Sequence, residues 1–178
     1  MSLVTTSMHA HRQALMACTK CPELGKCVPP VGPTTASLFI IGQSAGENEV
    51  DQGMPFVGPA GKLLNKLLEA AGVERADVFL TNAVHCHPPR NGESSADELD
   101  NSGPYLVAEL LMVRPKAVLC VGKDGWRVFG KRIPWGHGVF IMKASPRVLV
   151  SYHPSYFLRQ GNEEGFLKLA DKVKEMLS

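Results

Sequence analysis

Three of the chain's five cysteines fall within one short segment, at Cys18, Cys21 and Cys27. With no secretion signal ahead of them, thiols clustered in this way read as a metal or cluster site more than as disulfides. Cys120 lies in the apolar run Ala117 to Val121 and reads as a small buried core residue. A second set of reactive types sits just past short apolar runs. Gly42-Gln43-Ser44 follows Leu38 to Ile41, Asn82 follows Val78 to Leu80, and His153 follows Arg147 to Ser151. Glu47 and Glu49 are the carboxylates nearest the first of these.

The elements that must position them follow from periodicity. The runs Leu38 to Ile41, Val78 to Leu80, Ala117 to Val121 and Arg147 to Ser151 read as buried strands. Between them lie helical patterns. Leu63, Leu64, Leu67, Leu68 and Ala71 share one helix face that ends at Gly72. A helix spans Ala96 to Val113, a short one sits near Trp126, and a last one runs from Glu163 to Leu177. Another runs from Met8 to Ala17 into the cysteine cluster. Gly42 to Gly61 reads as an irregular exposed loop, and Ile133 to Lys143 as irregular or a hairpin. Strands alternating with helices imply parallel pairing through right-handed crossovers. The expected fold is therefore α/β, a three-layer α/β/α sandwich on a central four-stranded, mostly parallel sheet. Ligands bind such sheets outside the carboxyl ends of the strands. That is where Gln43, Asn82 and His153 converge.

At 178 residues with 44% hydrophobic content, the chain is expected to be one domain over 1–178, with the cysteine loop 18–27 part of it. It is expected to be monomeric and cytoplasmic. No apolar run has the length of a membrane span, and the N-terminus lacks a basic-then-apolar leader. A net charge of +2 gives no bulk attraction to nucleic acid, so such a partner needs a local basic patch.

Five strings carry a resemblance. They are Cys18-x2-Cys21-Pro22, Gly42-Gln43-Ser44-Ala45-Gly46-Glu47-Asn48-Glu49, Gly53-Met54-Pro55-Phe56-Val57-Gly58-Pro59-Ala60-Gly61, Thr81-Asn82-Ala83-Val84-His85-Cys86-His87-Pro88-Pro89, and Tyr152-His153-Pro154-Ser155. In order and spacing, the chain resembles the uracil-DNA glycosylase superfamily, closest to its iron–sulfur-containing family 4. The resemblance implies a DNA-repair hydrolase that flips uracil, or a related deaminated base, into a pocket and cleaves its N-glycosidic bond. Phe56 would stack on the base, and Asn82 would pair with its O4 and N3–H edge. His153 would donate to O2 as charge grows there. Gly42, Gln43, Ser44, Ala45 and Ser155 would line the base and sugar, and Glu49 would accept from the attacking water. Pro154, Tyr156, Phe157, Leu158 and Arg159 would press on uracil-containing DNA. His85, His87, Arg90, Lys20 and Lys26 are further candidate cations.

The resemblance also implies a structural [4Fe–4S] cluster. Cys18, Cys21 and Cys86 match three ligands of the family, but the fourth position holds Ser102. Cys27 is the substitute. Zinc on the same four thiols is the alternative, and His85 or His87 could replace one of them. The first motif departs as well. Family 4 carries Gly-Glu-x-Pro-Gly where this chain has Gln43 and Ala45, and family 1 places its water-activating Asp where this chain has Ser44. Only Glu47 and Glu49 remain to compensate, so reduced or altered activity is expected. Two other readings stay open: a weakened or inactive member that binds DNA or a base, and a metal-stabilised accessory module.

Overall fold

The computed structural model describes residues 7–89, 93–129, 133–141 and 145–178. Strands β1 (Leu38–Ser44), β2 (Val78–Val84), β3 (Ala117–Val121), β4 (Val139–Ile141) and β5 (Arg147–Ser151) form one sheet in the order β2-β1-β3-β5-β4. The first four in that order are mutually parallel, and β4 is antiparallel to β5. Helices α1 (Met8–Met16), α2 (Glu47–Gln52), α3 (Pro59–Ala70), α4 (Ala96–Val113), α5 (Lys123–Arg127), α6 (Pro154–Arg159), α7 (Glu163–Leu167) and α8 (Ala170–Leu177) complete the chain.

Alternation along the strands builds both cores. Leu38 and Ile40 of β1 face a cluster with Leu63, Leu64, Leu67, Phe166 and Val173, under α3, α7 and α8. Phe39 and Ile41 face the other way, with Leu106 and Val113 of α4 and with Cys120. A central strand covered on both faces must be apolar at every position, which is why β1 starts as an unbroken hydrophobic run. Cys120 is fully buried, and burial pushes its thiol pKa up.

The chain leaves β1 for β2 on one side and then crosses to β3 on the other. The direction of winding therefore reverses between β1 and β3, and the crevice at such a point is where open α/β sheets bind ligands.

The sheet has five strands where four were expected. The extra one, β4, has three residues and lies at the edge, too short to show an alternating pattern. The stretch expected as an irregular loop over 42–61 contains α2. That helix buries no residue, so it leaves no apolar stripe in the sequence. The last helix is two, α7 and α8, broken at Lys168 and Leu169. The segment after His153 forms α6, started by Pro154 at its first turn.

Candidate active site

β1 and β2 run in register so that Gly42 stands beside Asn82. Asn82 is 3% exposed, on a strand buried at every position. A Cβ added at Gly42 would lie 2.1 Å from the Asn82 Oδ1 and 2.8 Å from the Phe56 Cζ. Glycine is thus required there, because the amide and the ring close in over it from two directions. Asn82 Nδ2 donates to Glu49 Oε2 at 3.0 Å. That bond fixes which end of the amide is the donor.

Glu49 binds three groups. Besides Asn82, it accepts from the backbone N–H of Gly46 at 3.1 Å and of Phe56 at 2.5 Å. Burial raises its carboxyl above the ordinary value, while the Phe56, Gly46 and Asn82 bonds and Arg75 pull the other way. Arg75 in turn donates to the Pro55 carbonyl at 2.9 Å and to Asn65 at 2.7 Å.

Phe56 has φ 56°, a left-handed conformation that costs a non-glycine residue roughly 1–3 kcal/mol. A hydrogen bond to a charged group contributes about 1.5–3 kcal/mol, so the Glu49 bond to the Phe56 N–H is enough to hold it. Gly61 permits the approach from below: a Cβ there would lie 1.8 Å from the Phe56 carbonyl oxygen. The ring that results is 2% exposed.

His153 caps α6. Its Nδ1 accepts from the Ser155 N–H at 3.3 Å and lies 2.7 Å from the Ser155 hydroxyl. An Nδ1 that accepts a backbone N–H bears no proton, so the neutral ring carries its hydrogen on Nε2. Burial, with a smaller push from Arg159, lowers the His153 pKa to about 4. The imidazole is therefore a neutral donor at physiological pH.

His153 lines a groove of about 510 Å³ together with Gln43, Gly122, Ser155, Tyr152 and Tyr156. Trp135, Lys123, Arg159 and Glu93 form the rest of its wall. Gln43 reaches it by lying across Gly122, where a Cβ would meet the Gln43 Cγ at 2.4 Å. This contact joins the ends of β1 and β3 at the point where the winding reverses. Ser44 ends β1, beside Val84. Ala45 is buried and held from both sides: its N–H donates to Val84, and its carbonyl accepts from His87 Nδ1 at 2.8 Å.

Several expected DNA contacts sit elsewhere. Phe157 is 4% exposed and packs at a tilt against Phe166, so it belongs to the core and does not reach DNA. Pro154 is also buried, as the first residue of α6. Leu158 packs against the same core, while Arg159 is exposed on the groove wall. Tyr156, at 41% exposed, faces outward with Arg159. His85 is 1% exposed and cannot act as a surface cation. Lys20 and Lys26 are exposed near the cysteines, and Lys20 lies over the Tyr105 ring. Arg90 lies outside the described residues.

Cys18, Cys21, Cys27 and Cys86 line one cavity of about 260 Å³, closed by Tyr105, Asn101 and Ser102. Cys27 and Cys86 are bonded to each other as a disulfide across a two-residue β-bridge. Cys18 and Cys21 are free. Burial raises the Cys21 thiol pKa, partly offset by a hydrogen bond from Asn101. Burial, and contact with Cys18, push the Tyr105 hydroxyl up to about 12. Among the described residues no three metal-ligating side chains stand together as a ready site. Ser102 is turned away toward His85: its Oγ is 2.8 Å from Nδ1 and 3.3 Å from the backbone N–H.

Behind the cavity is a buried network that sequence reasoning missed. Glu109 Oε1 lies 2.8 Å from Nε2 of both His11 and His85, and all three side chains are at most 2% exposed. Burial alone would raise the Glu109 carboxyl. His85 and the hydrogen bonds from His11, His85 and Thr81 outweigh it and hold the pKa below the ordinary value. The signal was a carboxylate one turn on from Tyr105 and Leu106, inside the apolar stripe of α4. Arg75, Gly122 and Trp135 were also missed, and no local pattern marks them.

A family model, "Uracil DNA glycosylase superfamily", matches residues 29–176. The Type-4 uracil-DNA glycosylase of Archaeoglobus fulgidus is 34% identical over 88% of this chain and 88% of its own length. That of Saccharolobus solfataricus is 36% identical over 90% and 82%, and that of Sulfurisphaera tokodaii 31% identical over 93% and 84%. With a match over most of its length and with these relatives, the chain belongs to the uracil DNA glycosylase superfamily.

Proposed function

We propose that this protein is a DNA-repair hydrolase that removes uracil from DNA. The observation that carries the reading is the meeting of the Asn82 amide and the Phe56 ring over Gly42. An amide whose orientation is fixed offers one acceptor, Oδ1, and one remaining N–H, the complement of the N3–H and O4 edge of uracil. Cytosine presents a donor where uracil has O4, so the same amide rejects it. Phe56 supplies a flat apolar face for the flipped base.

The reaction breaks the bond between C1′ and N1. Water adds to C1′ as its proton passes to the Glu49 carboxylate, and uracil leaves with the bonding electron pair, its charge spread onto O2. Neutral His153, with its hydrogen on Nε2, is the donor for that oxygen. Such a preorganised donor is worth about 10²–10³ in rate. A neutral donor suits this step, because it stabilises the developing charge without first holding a charge of its own in a desolvated site. Glu49 has three partners on two oxygens, which leaves room for one further bond; the attacking water is assigned to it. Gly42, Gln43, Ser44, Ala45 and Ser155 form the base and sugar side of the site. Tyr156 and Arg159 meet DNA.

Cys18, Cys21, Cys27 and Cys86 are proposed to hold a [4Fe–4S] cluster. The residues fit it in kind: four cysteines, the preferred donors, line a single cavity. Zinc suits the same set and is the alternative. Ligation requires the Cys27–Cys86 pair in its reduced form. Bound there, the group is structural, tying the loop after α1 to the end of β2. Ser102 is not a ligand, since its hydroxyl is committed to His85.

A second reading, a weakened member that binds DNA or a base, is favoured by one feature. The end of β1 carries Gln43 and Ser44, with no carboxylate. Incubation with a uracil-containing oligonucleotide followed by alkali cleavage separates the two. Strand scission at the uracil is the expected result, and base-dependent binding without scission supports the second reading. Hypoxanthine and xanthine substrates run alongside identify the preferred base.

A further inference from the structure

The groove that begins at Gln43 and His153 does not stop at the proposed base site. It continues to Trp135, through a run of rings. Trp126 and Trp135 have centroids 5.4 Å apart, Trp135 and Tyr152 5.6 Å, and Tyr152 and Tyr156 5.0 Å. Trp135 is 37% exposed and Tyr156 41%, unusual for large rings in a packed cluster. The Trp126 indole N–H is bound to the Ile133 carbonyl at 2.7 Å, which fixes the inner ring and leaves Trp135 as the outer platform.

Two cations share the wall, Lys123 and Arg159. Among the described residues neither takes part in an ion pair. Glu93 is the acid on the same wall. Aromatic faces alternating with unpaired cations are the pattern by which proteins hold single-stranded nucleic acid: rings stack on bases, cations follow the backbone. The groove also carries His153, Gln43 and Ser155, so a strand lying in it is placed next to the flipped nucleotide.

We propose that Trp135 forms a stacking subsite for the nucleobase adjacent to the excised one, with Lys123 and Arg159 on the intervening phosphates. The proposal rests on the reading of the chain as a glycosylase. It assigns the enzyme a preference for unpaired DNA, in which the neighbouring base is free to leave its stack. It also assigns a dependence on that base being present.

The test uses the full chain and two independent readouts. In a Trp126→Phe variant, emission comes from Trp135. Uracil-free oligothymidylate quenches it saturably, and an abasic oligomer of the same length does not. Separately, excision is measured on single-stranded uracil oligonucleotides in which each neighbour of the uracil is replaced in turn by an abasic tetrahydrofuran. At one of the neighbours kcat/KM falls about five- to 150-fold, the range expected for one base on one ring. Trp135→Ala does not distinguish that substrate from the intact one, and Trp135→Phe retains part of the discrimination. Should Trp135→Ala fail to fold, the wild-type scan and Trp135→Phe decide the matter. Excision that ignores every neighbour, or a neighbour effect undiminished by loss of the ring, overturns the subsite and leaves the glycosylase reading intact. Saturable quenching without any excision overturns the glycosylase reading, and with it the subsite as stated, leaving only a base-binding face at Trp135.

Discussion

The Glu49 carboxylate and the Asn82 amide, 33 positions apart, meet at 3.0 Å, with the other Glu49 oxygen on the Phe56 backbone N–H. Glu49 comes from α2, a helix that buries nothing, and Asn82 from a strand that buries everything. One carboxylate thus sets the orientation of the amide, anchors the Phe56 backbone and ties down the turn at Gly46.

Glu49→Gln is nearly isosteric and should still be damaging. Donors approach both oxygens, so either orientation of a glutamine amide points its NH₂ at another N–H. The cost is about 1–3 kcal/mol of stability, the usual figure for leaving a buried donor unpaired. Uracil excision should fall at least tenfold, since about 1.4 kcal/mol of lost positioning is a factor of ten. Thermal unfolding and single-turnover excision check both. An unchanged rate would remove Glu49 from both assigned roles.

Gly42→Ala separates the pocket from the fold. The added methyl would meet the Asn82 oxygen and the Phe56 ring edge, both within 3 Å. Base binding and excision should be lost while the far-ultraviolet circular dichroism stays native. Normal excision by this variant would mean that the base does not enter between Asn82 and Phe56.

His153 sets a pH signature. Its folded pKa of about 4 lies below the unfolded value of 6.5. The stability it contributes is therefore fully present above about 6.5 and is lost as pH falls toward 4. Excision should show no His153 limb near neutrality; that limb falls as pH approaches 4, when the proton taken up at Nδ1 breaks the Ser155 N–H bond, and the Glu49 carboxyl, raised by burial, titrates ahead of it. His153→Ala should lose about 10²–10³ in rate across the plateau. A limb near 6.5 that disappears in this variant would contradict a neutral donor.

Glu109 is the test of the buried network. Removing it by Glu109→Ala strips two buried histidines of their partner and should cost roughly 3–5 kcal/mol. Its depressed pKa makes the contribution present above the ordinary carboxylate range and lost as pH falls through the folded value. Chemical denaturation at neutral pH and at pH values below the ordinary carboxylate range measures both effects.

Anaerobically purified wild-type protein should be brown and contain iron and sulfide, and Cys27→Ala should abolish both. Ser102→Ala and Cys120→Ala should retain them. Iron retained without Cys27 would reassign the fourth ligand.

Much of this was legible in the chain. Leu38 to Ile41 announced a strand covered on both faces, and the leucines of α3 announced its buried side. Gln43, Asn82 and His153 were placed at one sheet edge by the rule for strand ends alone. What escaped depended on contacts between distant segments. Nothing near Glu49 shows that it reaches Asn82, because α2 has no apolar stripe to reveal it as a helix. Phe157 and Tyr156 read alike in sequence, and only the packing of α6 on Phe166 turns one inward and the other out. His85 looked like a cation by type, but its place at the end of a wholly buried strand commits it to Glu109 and Ser102.

The most direct measurement is single-turnover excision by the wild-type protein on matched oligonucleotides carrying uracil or cytosine at one position. Alkali-labile sites are expected at uracil and none at cytosine, with loss of the uracil signal in Gly42→Ala. An intact uracil strand after prolonged incubation with folded protein would contradict it, as would equal cleavage at cytosine.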